Sequence, residues 1–348
     1  MLDKLLVSDI LYAATSTGAE FAEVFVENNK KNSLGLINGK LERALSGIDF
    51  GIGIRIINKD RMVYVYTNKK DRESLINLAK NGATAIKGNS KQKQIVFNDL
   101  DYRKINNNNI EIYPSSIYSN KIVEIMKEGS NTAFNYNPLI TQTSIGYMDS
   151  IQNVLIANTE NLFVASNENE KQTGYFGPGA MKGIEFLDTI NIKNIATEAA
   201  RSAVTMLNAK DCPSGKMPVI MDNGFGGVIF HEACGHGLEA AAIAKKASVF
   251  TDKIGEKIAS DKVTAIDDGT ISNSWGSINV DDEGIPAQKN ILIENGVLKN
   301  YMVDRFNGNK IGMKPTGSSR RESYKFIPVS RMTNTYIASG TDKKEDII

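Results

Sequence analysis

Histidine, cysteine and tryptophan are scarce in this chain: two, two and one among 348 residues. Two cysteines, Cys212 and Cys234, provide no disulfide framework and fit a reducing compartment. Charge of either sign is not in excess. Lys and Arg number 41 against 40 Asp and Glu, a formal net charge of +1. That balance, with basic residues dispersed, argues against a nucleic-acid partner and against attraction to an anionic membrane. Long apolar runs are also missing. The opening MLDKLLVSDILYAAT is broken by Asp3, Lys4, Ser8 and Asp9, so it lacks the apolar core of a signal peptide. No other run reaches membrane-spanning length. The expected location is the cytoplasm. At 41% hydrophobic and 23% charged the composition is that of a globular protein, and the length allows two or three domains.

The scarcity of histidine gives weight to where the two fall. Both lie in His231-Glu232-Ala233-Cys234-Gly235-His236, within the stretch Asp222–Ala242. Two imidazoles and a carboxylate in six residues are what a catalytic zinc site needs. Neutral imidazoles bind the metal, and a carboxylate beside them accepts a proton from water. The spacing departs from HExxH, whose histidines share a helical face at i and i+4. Five steps of about 100° leave the second ring roughly 140° from the first on a regular helix. The helix therefore has to be distorted, and Gly235 and Gly237 weaken it around His236. Either a π-bulge brings the rings together, or the helix ends near Cys234 and His236 rides on the following turn.

Periodicity orders the rest. Residues 2–17 read as a helix with Leu2, Leu5, Leu6, Ile10, Leu11 and Ala14 on one stripe, stopped by Gly18. Phe21–Val26 and Leu34–Ile37 read as strands, and Asn38-Gly39 as a hairpin turn returning through Lys40–Ser46. Gly51-x-Gly53 is not a nucleotide fingerprint, since no third glycine or helix follows, and predicts close backbone approach or a bend. It opens a strand to Ile57 that Arg61–Thr67 can pair with. Asp71–Lys87 is an amphipathic helix. Residues 88–109, ending in an asparagine run, read as a linker. Ser119–Lys127 and Asn191–Leu207 read as helices. Ile140–Tyr147, Val154–Asn158, Asn161–Ser166 and Gly183–Asp188 read as strands. Thr173–Gly179 is a turn-rich connection. Met217–Met221 is a short apolar strand expected to mount the HExxxH helix. The remainder reads as mostly β, with strands at Val263–Asp267, Ser277–Val280, Asn290–Glu294 and Val297–Asp304, the last two joined by Asn295-Gly296. The expected fold class is α+β. An N-terminal domain spans 1–90, a mixed middle domain 110–212, and a β-rich catalytic domain 216–348. Asp267, Asp268, Asp281, Asp282 and Glu283 match no EF-hand spacing and read as turn-forming residues.

Pieces spread along the whole chain resemble one family. They are Gly18-Ala-Glu-Phe-Ala-Glu-Val-Phe-Val26, Gly51-Ile-Gly-Ile-Arg55, His231-Glu-Ala-Cys-Gly-His-Gly-Leu-Glu239, Asp267-Asp-Gly-Thr270, Asp281-Asp-Glu-Gly284, Arg320-Arg-Glu-Ser-Tyr324 and Arg331-Met-Thr-Asn-Thr335. Together they resemble the TldD/PmbA metallopeptidases, and HExxxH places the chain on the TldD side. The resemblance implies a Zn2+-dependent peptidase hydrolysing unfolded or flexible peptides inside a dimer cavity. It implies His231 and His236 as zinc ligands and Glu232 as general base, and a partner that is a PmbA/TldE-like subunit or a second copy. Arg320, Arg321 and Tyr324 are the family-like candidates for contacting substrate. A reading at least as good is a basic loop that binds the substrate backbone or an acidic neighbour. The family's third ligand is a cysteine well beyond the RMTNT motif. This sequence ends thirteen residues after Thr335 without one. Cys212, Cys234, Glu239 and Glu256 are the other side chains weighed for that place, and none is assigned. The alternative function is therefore a catalytically silent subunit of the same family, retained for peptide binding or assembly.

Overall fold

The computed structural model describes residues 2–92, 108, 110–114, 119–159, 162–170, 177–207 and 214–347. The expected linker lies mostly outside them, as do Cys212 and the first part of the Thr173–Gly179 connection.

The chain opens on helix α1 (Lys4–Ala14), where the Asp3 carboxylate accepts the N–H of Leu6 as N-cap. Leu6, Ile10, Leu11 and Ala14 face the core, while Leu5, expected on that stripe, is exposed. Two long strands follow, β1 (Phe21–Ile37) and β2 (Lys40–Asn58), joined at Asn38-Gly39 with φ of 52° and 75°. Both residues are left-handed, as a type I′ hairpin turn requires. The expected strand pairs 21–26 with 34–37 and 40–46 with 51–57 are thus single strands. The polar stretch between them does not break β1, because a strand supports it on each side. β3 (Arg61–Thr67) pairs with β2 and is followed by α2 (Arg72–Thr84), capped by Asp71.

Helix α3 (Ser119–Tyr136) runs about two and a half turns past its expected end at Lys127. β4 (Ser144–Asn158) then lies antiparallel to β1 along nearly its whole length, with β5 (Leu162–Glu170) outside it. The result is one five-stranded antiparallel sheet, β3-β2-β1-β4-β5. Residues 183–188, expected as a strand, instead turn into the short helix α4 (Phe186–Thr189). The Glu185 carboxylate accepts the N–H groups of Ile112 and Gly183, which fixes that turn. α5 (Ile192–Leu207) packs against α3.

Strand alternation sends β1 and β2 side chains to opposite faces. Ala22, Val24, Val26, Ile52, Ile54 and Ile56 pack under α1 and α2 with Leu75 and Ala79. Glu23, Phe25 and Glu27, with Gly51, Gly53 and Arg55 opposite them, face the C-terminal residues. There Phe25 clusters with Val280 and Tyr324. The Tyr64 hydroxyl donates to the Tyr324 carbonyl at 2.6 Å, and the Tyr324 N–H donates to Glu27 at 2.8 Å. The Gly51-x-Gly53 pair is therefore a close backbone approach. A β-carbon on Gly53 would overlap the Tyr64 hydroxyl and sit 2.9 Å from the Tyr324 carbonyl oxygen. Gly53→Ala is expected to cost about 1–3 kcal/mol, the usual penalty of overpacking. Gly47→Ala on the same strand, with nothing within 4 Å of the added atom, should shift the urea midpoint little. Equal midpoints would contradict the packing described.

The C-terminal part is less regular than its sequence pattern suggests. Met217–Met221 forms no strand, and Met217, Val219, Ile220 and Met221 are all exposed. No described strand offers it a ladder, and without cross-strand partners an apolar run has nothing to pair with. Helices α6 (Gly227–Ala233) and α7 (Ala240–Ala244) follow, then β6 (Ala265–Asp268), β7 (Lys289–Glu294) and β8 (Val297–Leu298). Residues 277–280, expected as a strand, contribute a single bridge from Val280 to Pro286. Residues 300–304, expected to extend β8, lead into an unanticipated helix α8 (Arg305–Ile311), with Asp304 as N-cap and Gly312 left-handed at its end. Leu238, Ala240 and Ile243 pack with Leu292, Leu298, Met302, Val303 and Met332 in the core of this part.

The aspartates here bind backbone. Asp281 accepts the N–H groups of Glu283, Ile285 and Ser319, Asp282 that of Arg321, Asp268 that of Thr270, and Asp267 that of Thr333. Burial pushes the Asp282 carboxyl up to about 6. Among the described residues no helix is long and apolar enough to cross a membrane.

Candidate metal centre

The two histidines are brought together by interrupting the helix. α6 closes with the Cys234 N–H donating to the Phe230 carbonyl at 3.0 Å. Cys234 then leaves helical geometry, at φ −130° and ψ −50°, and Gly235–Leu238 forms a 3₁₀ turn. One non-helical residue between two turns removes the offset that five regular steps would impose. Of the two distortions the sequence allows, this is the one adopted. The glycines have a second reason to be there. A β-carbon on Gly237 would come 2.9 Å from the Phe250 ring, and one on Gly235 would overlap the Met332 sulfur. The turn is pinned from its C-terminal side: the Met302 N–H donates to the Leu238 carbonyl at 2.9 Å, and the Ala240 N–H to the Met302 carbonyl at 2.8 Å. That anchoring replaces the strand mount the sequence pattern suggests.

The His231 and His236 rings meet edge to face with centroids 4.8 Å apart. Ligand-capable atoms of His231, Glu232 and His236 all lie within 4.8 Å of one another. Glu232 is exposed, its carboxylate 4.0 Å from Nε2 of His236. A further residue shapes the cluster. Glu239 is buried, and its Oε1 lies 3.0 Å from Nδ1 of His236. A carboxylate only accepts, so Nδ1 carries the proton and Nε2 presents its lone pair toward His231 and Glu232. The other oxygen of Glu239 meets the Arg331 guanidinium at 3.3 Å. Glu239 stands at the N-cap position of α7 yet makes no capping bond, its carboxylate being directed to His236 and Arg331. Sequence reasoning weighed it only as a ligand. The signal for its role was the spacing, three residues after His236 across a helical turn.

The donor set suits a borderline metal such as zinc: two imidazoles that converge, one with its tautomer fixed by a carboxylate behind it, as metal-bound histidines usually have. Among the described residues no other histidine, cysteine or carboxylate joins this group. Cys234 packs against the C-terminal core, where burial pushes its thiol up. Glu256 pairs with Lys253. Arg321 and Tyr324 are buried at the contact with the sheet: Arg321 pairs with Glu23 and lies over the Phe25 ring. Arg320 is open, its guanidinium 3.3 Å from the Met332 carbonyl. The acidic-neighbour reading of this loop therefore describes Arg321 and the Tyr324 backbone, while Arg320 faces a cavity.

Comparison with known proteins agrees along the chain. Family models for PmbA/TldA metallopeptidase domain 1, central domain and C-terminal domain match residues 22–86, 112–207 and 214–348. The Metalloprotease TldD homolog of Buchnera aphidicola (from Acyrthosiphon pisum) is 33% identical over 94% of this chain and 72% of its own length. That of Haemophilus influenzae is 33% identical over the same shares. In structure, TldE from Thermococcus kodakarensis superposes with a TM-score of 0.70 at 18% identity, covering 98% of this chain and 79% of that one. A Thermotoga maritima chain reaches 0.73 at 19% identity, covering 99% and 79%. These two carry the fold alone. With sequence identity of this extent on chains named metalloproteases, and three consecutive domain matches, the protein belongs to the PmbA/TldD metallopeptidase family.

Proposed function

We propose that this chain is a zinc-dependent peptidase of the TldD type, with His231 and His236 holding the ion and Glu232 as general base. The observation that carries this reading is the convergence of His231, Glu232 and His236 within 4.8 Å in a turn whose imidazole tautomer Glu239 fixes. Zinc, when bound, polarises the scissile carbonyl and makes water a nucleophile near neutral pH. The protein residues do the rest. Glu232, exposed beside the cluster, takes the proton of the attacking water and returns it to the leaving amine. Glu239 keeps the Nδ1 proton in place, so that His236 offers only Nε2. Arg320 faces the space where a substrate chain would lie. The substrates are unfolded or flexible peptides, reached in a cavity completed by a PmbA/TldE-like subunit or a second copy, and the location is the cytoplasm.

The deciding experiment is metal analysis of the purified chain with peptide cleavage before and after chelation. Stoichiometric zinc and cleavage that a chelator abolishes and zinc restores are expected. Cleavage indifferent to the chelator overturns the reading. One observation favours the silent-subunit alternative: only two imidazoles and one carboxylate converge among the described residues, where a catalytic zinc usually has three protein ligands. A folded, metal-free protein without cleavage would establish that alternative.

Glu239 supplies a finer test. Glu239→Ala should weaken zinc affinity about 10- to 100-fold, the usual cost of removing the carboxylate behind a metal-bound histidine. Competition with a chelating dye measures it without recourse to activity. Glu239→Gln, which can still accept from Nδ1, should lose less.

A further inference from the structure

A cavity of about 480 Å³ is linked to the candidate metal centre through Arg331, which lines it and shares the Glu239 carboxylate with His236. Phe326, Ile327 and Val329 form apolar wall, and Arg320 and Arg331 bring guanidinium groups to it. Arg321 also lines it, but its charge is taken by Glu23. Glu322 adds one exposed carboxylate. Arg331 shares Glu239 with His236 and is half-exposed. Arg320 differs from the other two. Among the described residues no carboxylate lies within ion-pair distance of it, and its one hydrogen bond goes to the Met332 carbonyl. Arg320 is exposed, yet partial desolvation and, to a lesser extent, the like charge of Arg331 pull its pKa down, against the opposite pull of Asp282, Glu239 and Asp267. An arginine held in a part-apolar cavity without a counter-ion gains from an anion that enters, and its planar fork matches a carboxylate.

Position says what that anion belongs to. Arg331 and His236 contact the two oxygens of one Glu239 carboxylate. The Arg331 guanidinium therefore lies within about 10 Å of the Nδ1 edge of the imidazole, roughly three residues of extended chain.

We propose that this cavity is a carboxylate subsite, in which Arg320 and Arg331 hold a peptide carboxylate a few residues from the bond being cut. The inference rests on the peptidase reading for its substrate, and deepens it by naming the peptides preferred: those with an acidic group at that distance. The carboxylate is either the C-terminal α-carboxylate or an Asp or Glu side chain, and the two give different results below.

The test is binding of fluorescent hexapeptides to the full chain, stripped of metal with a chelator so that nothing is cleaved. One pair differs by a free or amidated C-terminus, the other by Glu or Gln at an internal position. At least one acidic member should bind about tenfold tighter than its neutral twin. The pair that shows it identifies the source. Arg320→Gln should abolish the difference by weakening the acidic peptide to the level of the neutral one. Val329→Glu, which places a carboxylate in the cavity wall, should do the same and serves if R320Q does not fold. Equal affinity within both pairs, no binding by any peptide, or a preference that survives R320Q each overturns the subsite. A chain that selects acidic peptides when metal-free, yet cleaves nothing with zinc, would sink the peptidase reading and leave the subsite standing.

Discussion

Glu232→Gln is expected to bind zinc as the parent does and to lose peptide hydrolysis by about 10²- to 10⁴-fold, the contribution of a positioned general base. The substitution keeps size and hydrogen-bonding capacity and removes only basicity. Little else changes with it. Glu232 is exposed and its nearest approach to His236 is 4.0 Å, too long for a hydrogen bond that would hold the imidazole. Stability should therefore stay within about 0.5 kcal/mol, as for most surface changes. Metal content, the thermal midpoint and turnover on one peptide separate the possibilities. A variant as active as its parent removes Glu232 from the mechanism. A variant that loses the metal makes it a ligand instead, the third that the two histidines lack. The contrast with Glu239→Ala is informative: there the metal should weaken first and turnover should return at high zinc, whereas no zinc concentration should restore E232Q.

How far the sequence revealed this site depended on locality. The two histidines were visible because there are no others, and the glycines beside them announced a break in the helix. Which break occurs was not visible, since it is set by Met332, Phe250 and Met302, which lie up to about a hundred positions away in the chain. Glu239 was in plain sight at a telling spacing, but its orienting role needs Arg331 on its far side. The same division runs through the fold. Asn38-Gly39 as a turn and Gly51-x-Gly53 as a close approach are local signals, and each corresponds to a feature of the structure. β1 defeated the pattern because its polar middle is paid back across strands: Asn29 accepts from the Ser150 hydroxyl at 2.8 Å, and the Asn32 amide donates to Asp149 at 2.7 Å. Polar alternation looks like a loop until the partner strand is known. Met217–Met221 failed the other way, an apolar run without a partner among the described strands. Helix α8 was legible in principle, since Asp304 and Gly312 are standard start and stop signals; the β-like pattern of Val297–Asp304 concealed them.

The largest stability effect is expected at Arg55, which no functional motif of the metal site would single out. Arg55 lies on β2 directly opposite Glu23 on β1, on the face turned to the C-terminal part. It is fully buried, with Glu23 at 2.8 Å and Glu283 at 2.7 Å. Glu23 also pairs with Arg321, so two arginines and two glutamates alternate across the contact between the sheet and the C-terminal part. Desolvation alone would lower the Arg55 pKa, yet the two carboxylates outweigh it and raise it. Arg55→Met fills similar volume and leaves Glu283 buried without its cation. A broken buried pair costs about 3–5 kcal/mol, mostly the desolvation of the charge left behind. Arg55→Lys should recover only part of that, because one ammonium cannot fork to both glutamates. Arg55→Met with Glu283→Gln removes the stranded charge together with its partner, and should be more stable than Arg55→Met alone. This ordering is the diagnostic feature. If the network served only to fill space, the double variant would be the worst of the three, since it departs furthest from the native packing. If the charges matter as a balanced set, urea midpoints should rank the double variant above Arg55→Met.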